Sequence, residues 1–135
     1  MKELIVEADR MNLPAVQNFI DEQLEEAGCP MLTQTTIDIA VEELFVNIAS
    51  YAYAPGEGDA QVECALLTDP KRLLIRFRDS GVPFDPTAHE DADTSEEAIM
   101  DRIGGLGIFL VKKNMDEVSY AYEGGKNVLT LIKAV

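Results

Sequence analysis

The sequence lacks several residues that would mark a metal-binding or disulfide-bonded protein. Its 135 residues include no tryptophan, one histidine and two cysteines, Cys29 and Cys64. The cysteines lie far apart, and neither belongs to a Cys-x-x-Cys pair or has a histidine near it. The sequence therefore indicates neither a zinc site nor a disulfide framework. We expect both cysteines to be buried free thiols.

Long apolar runs are also missing. No stretch approaches the ~18 consecutive apolar residues of a transmembrane helix. The first residues, Met1-Lys2-Glu3-Leu4, lack the basic start and apolar stretch of a signal peptide. We therefore expect a cytoplasmic protein that does not enter a membrane. Because 47% of the residues are hydrophobic, the chain can build one compact core, and we expect residues 1–135 to form a single domain.

Basic residues are scarce and unevenly placed. The formal net charge is −14, and no lysine or arginine occurs between Met11 and Pro70. This charge argues against a general nucleic-acid-binding protein, which needs basic residues opposite the phosphates. The second half of the chain, where most basic residues lie, favours the binding of an anion more than the first half does. The acidic first half suits either a solvated surface or a basic partner.

The pattern of apolar residues predicts the element order β-α-α-β-β-loop-α-β-β. Alternating apolar residues predict strands, and apolar residues at helical spacing predict helices. The expected strands lie at about residues 3–8, 61–66, 73–79, 118–122 and 127–132, and the expected helices at about 12–27, 33–53, 94–100 and 108–115. We expect an α+β fold, a two-layer α/β sandwich whose mixed, mostly antiparallel sheet is covered by helices on one face.

Three features need an explanation beyond this pattern. The glycine stretch Gly104-Gly105-Leu106-Gly107 precedes a predicted helix. A helix N-terminus can hold an anion through its free N–H groups, although a flexible turn before a core helix is the other interpretation. Glu43 and Asn47 lie one helical turn apart on a helix flank. Asp79 is in phase with the apolar face of its strand, where a carboxylate without a partner is costly.

Together these features resemble the nucleotide-binding motifs of a known superfamily. Glu43-x-x-x-Asn47, Asp79-x-Gly81-x-Pro83 and Gly105-x-Gly107 are similar in order and spacing to the N, G1 and G2 boxes of the gyrase, chaperone, histidine-kinase and mismatch-repair ATPases. The segments around the boxes most resemble the small bacterial anti-sigma-factor serine kinases. The resemblance covers nearly the whole chain and implies a Bergerat-type ATP-binding fold.

The resemblance implies a role for each motif residue. Asp79 would accept a hydrogen bond from adenine N6, Gly81 would let the backbone approach the base, and Thr130 would share the adenine contact through water. Asn47 would hold Mg²⁺. Glu43 would be the general base that takes the proton from an attacking hydroxyl. The residues expected at the phosphates are Arg102, Gly104, Gly105, Leu106 and Gly107. Each residue also has an ordinary structural interpretation as a turn, cap or surface residue.

The resemblance also implies cofactors and partners. ATP and Mg²⁺ are the expected cofactors, and the loop from Phe84 to Ile103 is the expected ATP lid. The expected phosphate acceptor is a serine of an anti-sigma-antagonist-like protein. A sigma factor is a further expected partner, and a homodimer is left open. An ATP-gated protein-binding switch without kinase activity is the alternative function, and a regulatory domain that binds no nucleotide is a third.

One position departs from the family pattern. Many of these kinases carry a histidine four residues after the N-box asparagine, whereas this chain has Tyr51 there. Its histidine, His89, lies in the expected lid. Contact with the nucleotide and packing in the core are both open for Tyr51, and we expect packing.

Overall fold

The computed structural model of the protein describes residues 1–88 and 105–135. The expected helix at residues 94–100, together with Arg102 and Gly104, lies outside the described residues. Within them, five strands and three helices of two turns or more are formed: β1 (Lys2–Glu7), α1 (Leu13–Glu26), α2 (Met31–Asn47), β2 (Asp59–Leu67), β3 (Arg72–Asp79), α3 (Gly105–Asn114), β4 (Glu117–Glu123) and β5 (Lys126–Ala134).

The strands form one sheet in the order β1-β2-β3-β5-β4. Every neighbouring pair is antiparallel. One hydrophobic cluster joins the inner face of this sheet to side chains of all three helices. The predicted α+β sandwich is therefore confirmed. The expected sheet was mixed and mostly antiparallel, and the sheet formed by the described residues is wholly antiparallel.

Alternation along β3 shows which face of the sheet is buried. Leu73, Ile75 and Phe77 are each at most 2% exposed, and Asp79 continues the same row. In the register with β5, Phe77 lies opposite Leu129 and Asp79 opposite Asn127. Because directly opposite residues share a face, the apolar rows of the two strands end together in a polar pair.

Helices α1 and α2 supply most of the layer that covers the sheet. Val16, Ile20 and Leu24 recur every four residues along α1 and are fully buried. Burial of side chains of this size stabilises the fold by about 1.5–3 kcal/mol each. The end of α1 is secured by Gly28, whose φ of +71° suits glycine, and by the Lys71 ammonium, which donates to the Ala27 carbonyl oxygen.

The C-terminal end of α2 differs from the expected helix, which extended to about residue 53. The α-helix ends at Asn47, and residues Ile48–Ala52 form one wider π-helical turn. Such turns are often found at functional sites. At the last residue of the turn, the carbonyl oxygen of Ala52 accepts a 2.9 Å hydrogen bond from the Val82 N–H, which ties the end of α2 to the loop after β3.

Candidate active site

A cleft opens between the C-terminal end of α2, the turn after it and the ends of β3 and β5. About 520 Å³ between these elements is free of protein atoms, a volume that includes the open mouth of the cleft. Its walls are mainly apolar, as in most sites for organic ligands. The lining residues are Leu44, Asn47, Ile48, Tyr51, Ala52, Phe77, Asp79, Phe84, Pro86, Tyr120, Asn127 and Leu129.

Asp79 is the buried carboxylate of the cleft, with 7% of its surface exposed. Its Oδ1 accepts hydrogen bonds from the backbone N–H of Gly81 at 3.0 Å and from Asn127 Nδ2 at 2.9 Å. Its Oδ2 has no hydrogen-bond partner among the described residues. One oxygen of the carboxylate is thus held by the protein, and the other is available to a donor in the cleft.

Asn127 belongs to the cleft, although the sequence motifs do not predict it. It is 7% exposed and lies opposite Asp79 on the neighbouring strand. Its phase on β5 matches that of Leu129 and Leu131, so the alternation of the strand could have pointed to it. The sequence does not show which phase of β5 faces the helices, because the other phase, which contains Val128 and Ile132, is just as apolar.

Gly81 is needed for a close approach of two backbone segments. A Cβ at this position would overlap the carbonyl group and side chain of Ala52. Gly81 does not line the cleft, so the structure gives it a role in joining the loop after β3 to the end of α2. The proposed approach of its backbone to a base remains a prediction.

Asn47 and Glu43 face two neighbouring spaces. Asn47 lines the cleft of Asp79, and its side-chain amide has no hydrogen-bond partner among the described residues. Glu43 instead lines an adjoining groove between α2 and α3, together with Ile39 and Leu110. Burial raises the pKa of Glu43 above its usual value, and the negative charge of Glu42 adds to this effect.

Thr130 is not brought to the cleft, and its predicted contact with adenine is corrected here. It lies opposite Arg76 on the face of the sheet that the helices leave uncovered. Its Oγ1 accepts a 3.1 Å hydrogen bond from Arg76 Nε. The neighbouring phase of β5 faces the cleft, so Asn127 is the β5 residue that contacts Asp79.

Tyr51 is exposed, so the expectation that it packs in the core is wrong. It lies in the π-helical turn after α2, lines the cleft and has 68% of its surface accessible. Because the π-helical turn is wider than an α-helical turn, the side chains after Asn47 point in other directions than they would on a continuous α-helix. Contact with a bound nucleotide stays a prediction for this side chain.

The glycine stretch forms the start of α3. The helix begins at Gly105 rather than at Ile108, so Gly105, Leu106 and Gly107 make up its first turn. The first N–H groups of a helix in general lack a partner within it, and this is why the start of a helix can hold an anion. Contacts of these three residues with phosphates stay a prediction.

Clusters of metal-binding side chains are not found in the part of the chain that the structure describes. There, no three His, Cys, Asp or Glu side chains lie together so as to hold a metal ion. A Mg²⁺ ion bound through one amide oxygen, phosphate oxygens and water does not require such a cluster. Within the same residues, no helix is long and apolar enough to cross a membrane.

The chain matches a known sequence family. Residues 6–133 match the family described as "Histidine kinase-like ATPase domain". Since the match covers nearly the whole chain, the chain belongs to the histidine kinase-like ATPase domain family. The resemblance drawn from the three boxes is thereby confirmed.

Particular members of known function are similar to this chain. The serine-protein kinase RsbW of Listeria monocytogenes is 35% identical over 97 residues, which are 69% of this chain and 61% of that protein. The serine/threonine-protein kinase BtrW of Bordetella bronchiseptica is 28% identical over 96 residues, which are 71% of this chain and 67% of that protein. The chain thus spans about 61% of the length of the RsbW protein.

A solved structure shares the fold. One chain of the crystal structure of the SiaB–SiaC complex from Pseudomonas aeruginosa matches with a TM-score of 0.62 and 15% sequence identity. The match covers 98% of this chain and 89% of that one. At this identity the likeness concerns the fold alone.

Proposed function

We propose that the chain is an ATP-dependent protein-serine kinase of the anti-sigma-factor type. In this proposal it transfers the γ-phosphate of Mg-ATP to a serine of an anti-sigma-antagonist-like partner. The kinases RsbW and BtrW, to which the chain is similar, support the reaction type. The observation that carries the proposal for this chain is Asp79, whose Oδ1 is held by two donors while its Oδ2 lacks a partner among the described residues.

Adenine fits the chemistry of the cleft. Its exocyclic amino group is a donor that suits Asp79 Oδ2, and its flat ring suits apolar walls such as those made by Ile48, Phe77 and Leu129. Without a donor in the cleft, the carboxylate of Asp79, a residue that is 7% exposed, would remain partly unsatisfied. Binding of the base supplies the missing donor.

The phosphate end of the nucleotide would lie toward α3 and Asn47. The first turn of α3, formed by Gly105, Leu106 and Gly107, offers N–H groups to phosphate oxygens. Arg102 and Gly104 precede this turn and are proposed for the same phosphates. The amide oxygen of Asn47 would complete a Mg²⁺ shell. When bound, Mg²⁺ neutralises charge that develops on the phosphates during transfer.

Glu43 is the proposed general base. Its carboxylate would take the proton of the seryl hydroxyl, whose oxygen forms a bond to the γ-phosphorus as the bond to the β,γ-bridging oxygen breaks and ADP leaves. The raised pKa of Glu43 brings its basicity closer to that needed near neutral pH. Its place in the groove between α2 and α3 means that the acceptor serine would approach through that groove.

The organisation and partners of the whole protein are part of the same proposal. Residues 1–135 would act as one domain and work in the cytoplasm. An anti-sigma-antagonist-like protein is the proposed substrate. Binding of a sigma factor and formation of a homodimer, both drawn from the resemblance, stay predictions.

Transfer of labelled γ-phosphate tests the proposal. The chain is incubated with Mg²⁺, γ-labelled ATP and each purified anti-sigma-antagonist protein of its own organism, and the acceptor serine is located by mass spectrometry. We expect one antagonist to be labelled by the wild type and not by Glu43→Gln. The alternative function, an ATP-gated switch, predicts a different result. The wild type would then bind ATP tightly without any transfer, and both the wild type and Glu43→Gln would capture the antagonist in an ATP-dependent way.

A further inference from the structure

We propose that Asn127 is the positioning residue that sets the base specificity of the cleft. It holds Asp79 and the backbone of residues 82–84 in one arrangement and makes no hydrogen bond to a ligand itself. This inference rests on the proposed function, because it names what selects the nucleotide base at the same site. It is carried by the hydrogen bonds of one buried side chain.

The side-chain amide of Asn127 is fully used by the protein. Its Nδ2 donates to Asp79 Oδ1 at 2.9 Å and to the Val82 carbonyl oxygen at 3.0 Å. Its Oδ1 accepts from the Phe84 N–H at 3.1 Å and from the hydroxyl of Tyr120. An amide has two donor hydrogens and two acceptor lone pairs. All four are therefore occupied, and Asn127 has none left for a ligand.

The partners of Asn127 allow one orientation of its amide. Rotation by 180° would place Oδ1 against the carboxylate of Asp79 and the carbonyl oxygen of Val82, where both groups are acceptors. It would also place the amide N–H₂ against the Phe84 N–H, where both groups are donors. The amide of Asn127 thus joins β3, β4, β5 and the loop after β3 in a fixed geometry.

This geometry determines what the cleft selects. With Oδ1 of Asp79 held by Gly81 and Asn127, the carboxylate presents Oδ2 to the cleft as an acceptor. A base with an exocyclic amino group at this point, such as adenine, is favoured. A base with a carbonyl oxygen there, such as guanine, would set an acceptor against a carboxylate. Phe84 and Pro86, which follow the loop that Asn127 holds, complete the wall.

The positioning role is tested first without nucleotide. Asn127→Leu keeps the branching of the side chain at Cγ, with a larger volume, but removes all four hydrogen bonds. Its control is Asn18→Leu on the exposed side of α1. Amide hydrogen exchange of the nucleotide-free proteins is measured at Phe84 and Gly81. We expect exchange at both amides to be at least about tenfold faster in Asn127→Leu and unchanged in the control. Unchanged protection in Asn127→Leu would overturn the inference.

The specificity role is tested by the ratio of GTP to ATP dissociation constants. Calorimetric titration with Mg²⁺ present is expected to give a ratio of at least about 10 for the wild type and a ratio close to 1 for Asn127→Leu. Loss of both affinities in equal proportion would indicate a merely structural residue and would overturn the inference. Tyr120→Phe, which removes one hydrogen bond to Asn127, is expected to fold and to lower the ratio by about threefold.

The two tests separate this inference from the proposed function. If the wild type bound neither nucleotide, the proposed kinase would fail, while the exchange rates at Phe84 and Gly81 would still decide whether Asn127 positions Asp79. If Asn127→Leu failed to fold, Tyr120→Phe would decide both parts, because it is expected to accelerate exchange at Phe84 as well as to lower the ratio. An unchanged ratio and unchanged exchange in Tyr120→Phe would then contradict the inference.

Discussion

Asp79 and Asn127 lie directly opposite each other on β3 and β5 and are joined by a 2.9 Å hydrogen bond. The two preceding pairs on this face, Ile75 with Leu131 and Phe77 with Leu129, are apolar and buried. The core of the sheet therefore ends in a hydrogen-bonded polar pair where the cleft begins. A buried carboxylate is kept at this point by donors on its protein side and remains available on the other side.

Asp79→Asn is expected to reverse the base preference of the cleft. The new amide oxygen must accept from Gly81 and Asn127, so the amide N–H₂ takes the place of Oδ2. A donor then faces the amino group of adenine. We expect the affinity for ATP to fall by at least about tenfold, or about 1.4 kcal/mol, and the affinity for GTP to rise relative to it. Calorimetric titration with both nucleotides measures the change.

Thr130→Val is the matched control for Asp79→Asn. Thr130 lies on the other face of the sheet, where it accepts from Arg76. The substitution should leave ATP affinity unchanged within error. A loss of affinity comparable to that of Asp79→Asn would contradict the placement of the nucleotide base between α2 and the inner face of the sheet.

Gly81→Ala is expected to destabilise the protein and to weaken nucleotide binding together. The added Cβ would overlap the carbonyl group of Ala52, so the loop after β3 must move away from the end of α2 and lose the hydrogen bond from Val82. Overpacking of this kind costs about 1–3 kcal/mol. Urea unfolding measures the loss. Ser80→Ala, on the exposed neighbouring residue, should change the free energy of unfolding by less than about 0.5 kcal/mol.

The comparison of Asp79 with Thr130 shows how far the sequence could predict this site. The sequence predicts that Asp79 is buried, because three apolar residues in the same phase precede it on β3. On β5 both phases are apolar, since Val128 and Ile132 alternate with Leu129 and Leu131. Alternation alone does not tell which phase faces the helices, and the register with β3 decides it.

The same limit applies to hydrogen bonds between distant segments. Helix α2 and its stripe of apolar residues were predicted, because helical spacing is a local property. The π-helical turn at Ile48–Ala52 and the overlap that excludes a side chain at Gly81 depend on the packing of α2 against the loop after β3. Contacts of this kind involve residues about 30 positions apart, and local sequence patterns carry no information on them.

Glu43→Gln is expected to slow phosphate transfer strongly and to preserve ATP binding. Glutamine keeps the shape of the side chain but cannot accept the hydroxyl proton, so we expect the transfer rate to fall by about 10²–10⁴-fold. Single-turnover transfer from labelled ATP measures the rate, and calorimetry measures the affinity. A variant that retained most of the wild-type rate would exclude Glu43 as the base.

The pH dependence of transfer gives a second test of Glu43. The base must be ionised, so the rate should rise with pH through the pKa of Glu43, which burial and the charge of Glu42 hold above its usual value. Glu42→Gln removes one of these two causes. The acidic limb of its profile should therefore shift to lower pH while the maximal rate stays similar. An unshifted limb would show that Glu43 does not control the profile.

Asp21 of α1 and Asp38 of α2 form a pair of neighbouring carboxyl groups. Each has an Oδ1 that is buried without a hydrogen-bond partner. Burial, together with Asp21, raises the pKa of Asp38 to about 7, and Asp21 acts through a hydrogen bond with the protonated carboxyl group and through its negative charge. A proton held between the two carboxyl groups would satisfy both oxygens and remove the repulsion between two like charges.

Asp38→Asn is expected to remove a pH-dependent loss of stability. Because the folded-state pKa of Asp38 is raised from 3.8 to about 7, the folded protein binds more protons than the unfolded chain between these two values. Wild-type stability should therefore fall as pH rises through this range and stay reduced above it. Asparagine supplies a permanent hydrogen-bond donor at this position. At about pH 8, we therefore expect the free energy of unfolding of Asp38→Asn to exceed that of the wild type by about 1–2 kcal/mol, after allowance for solvent screening. At about pH 4, we expect little difference between the two proteins. Urea unfolding of both proteins across this range measures the difference. A difference that did not grow with pH would show that Asp38 is ionised in the folded protein at about the same pH as in the unfolded chain.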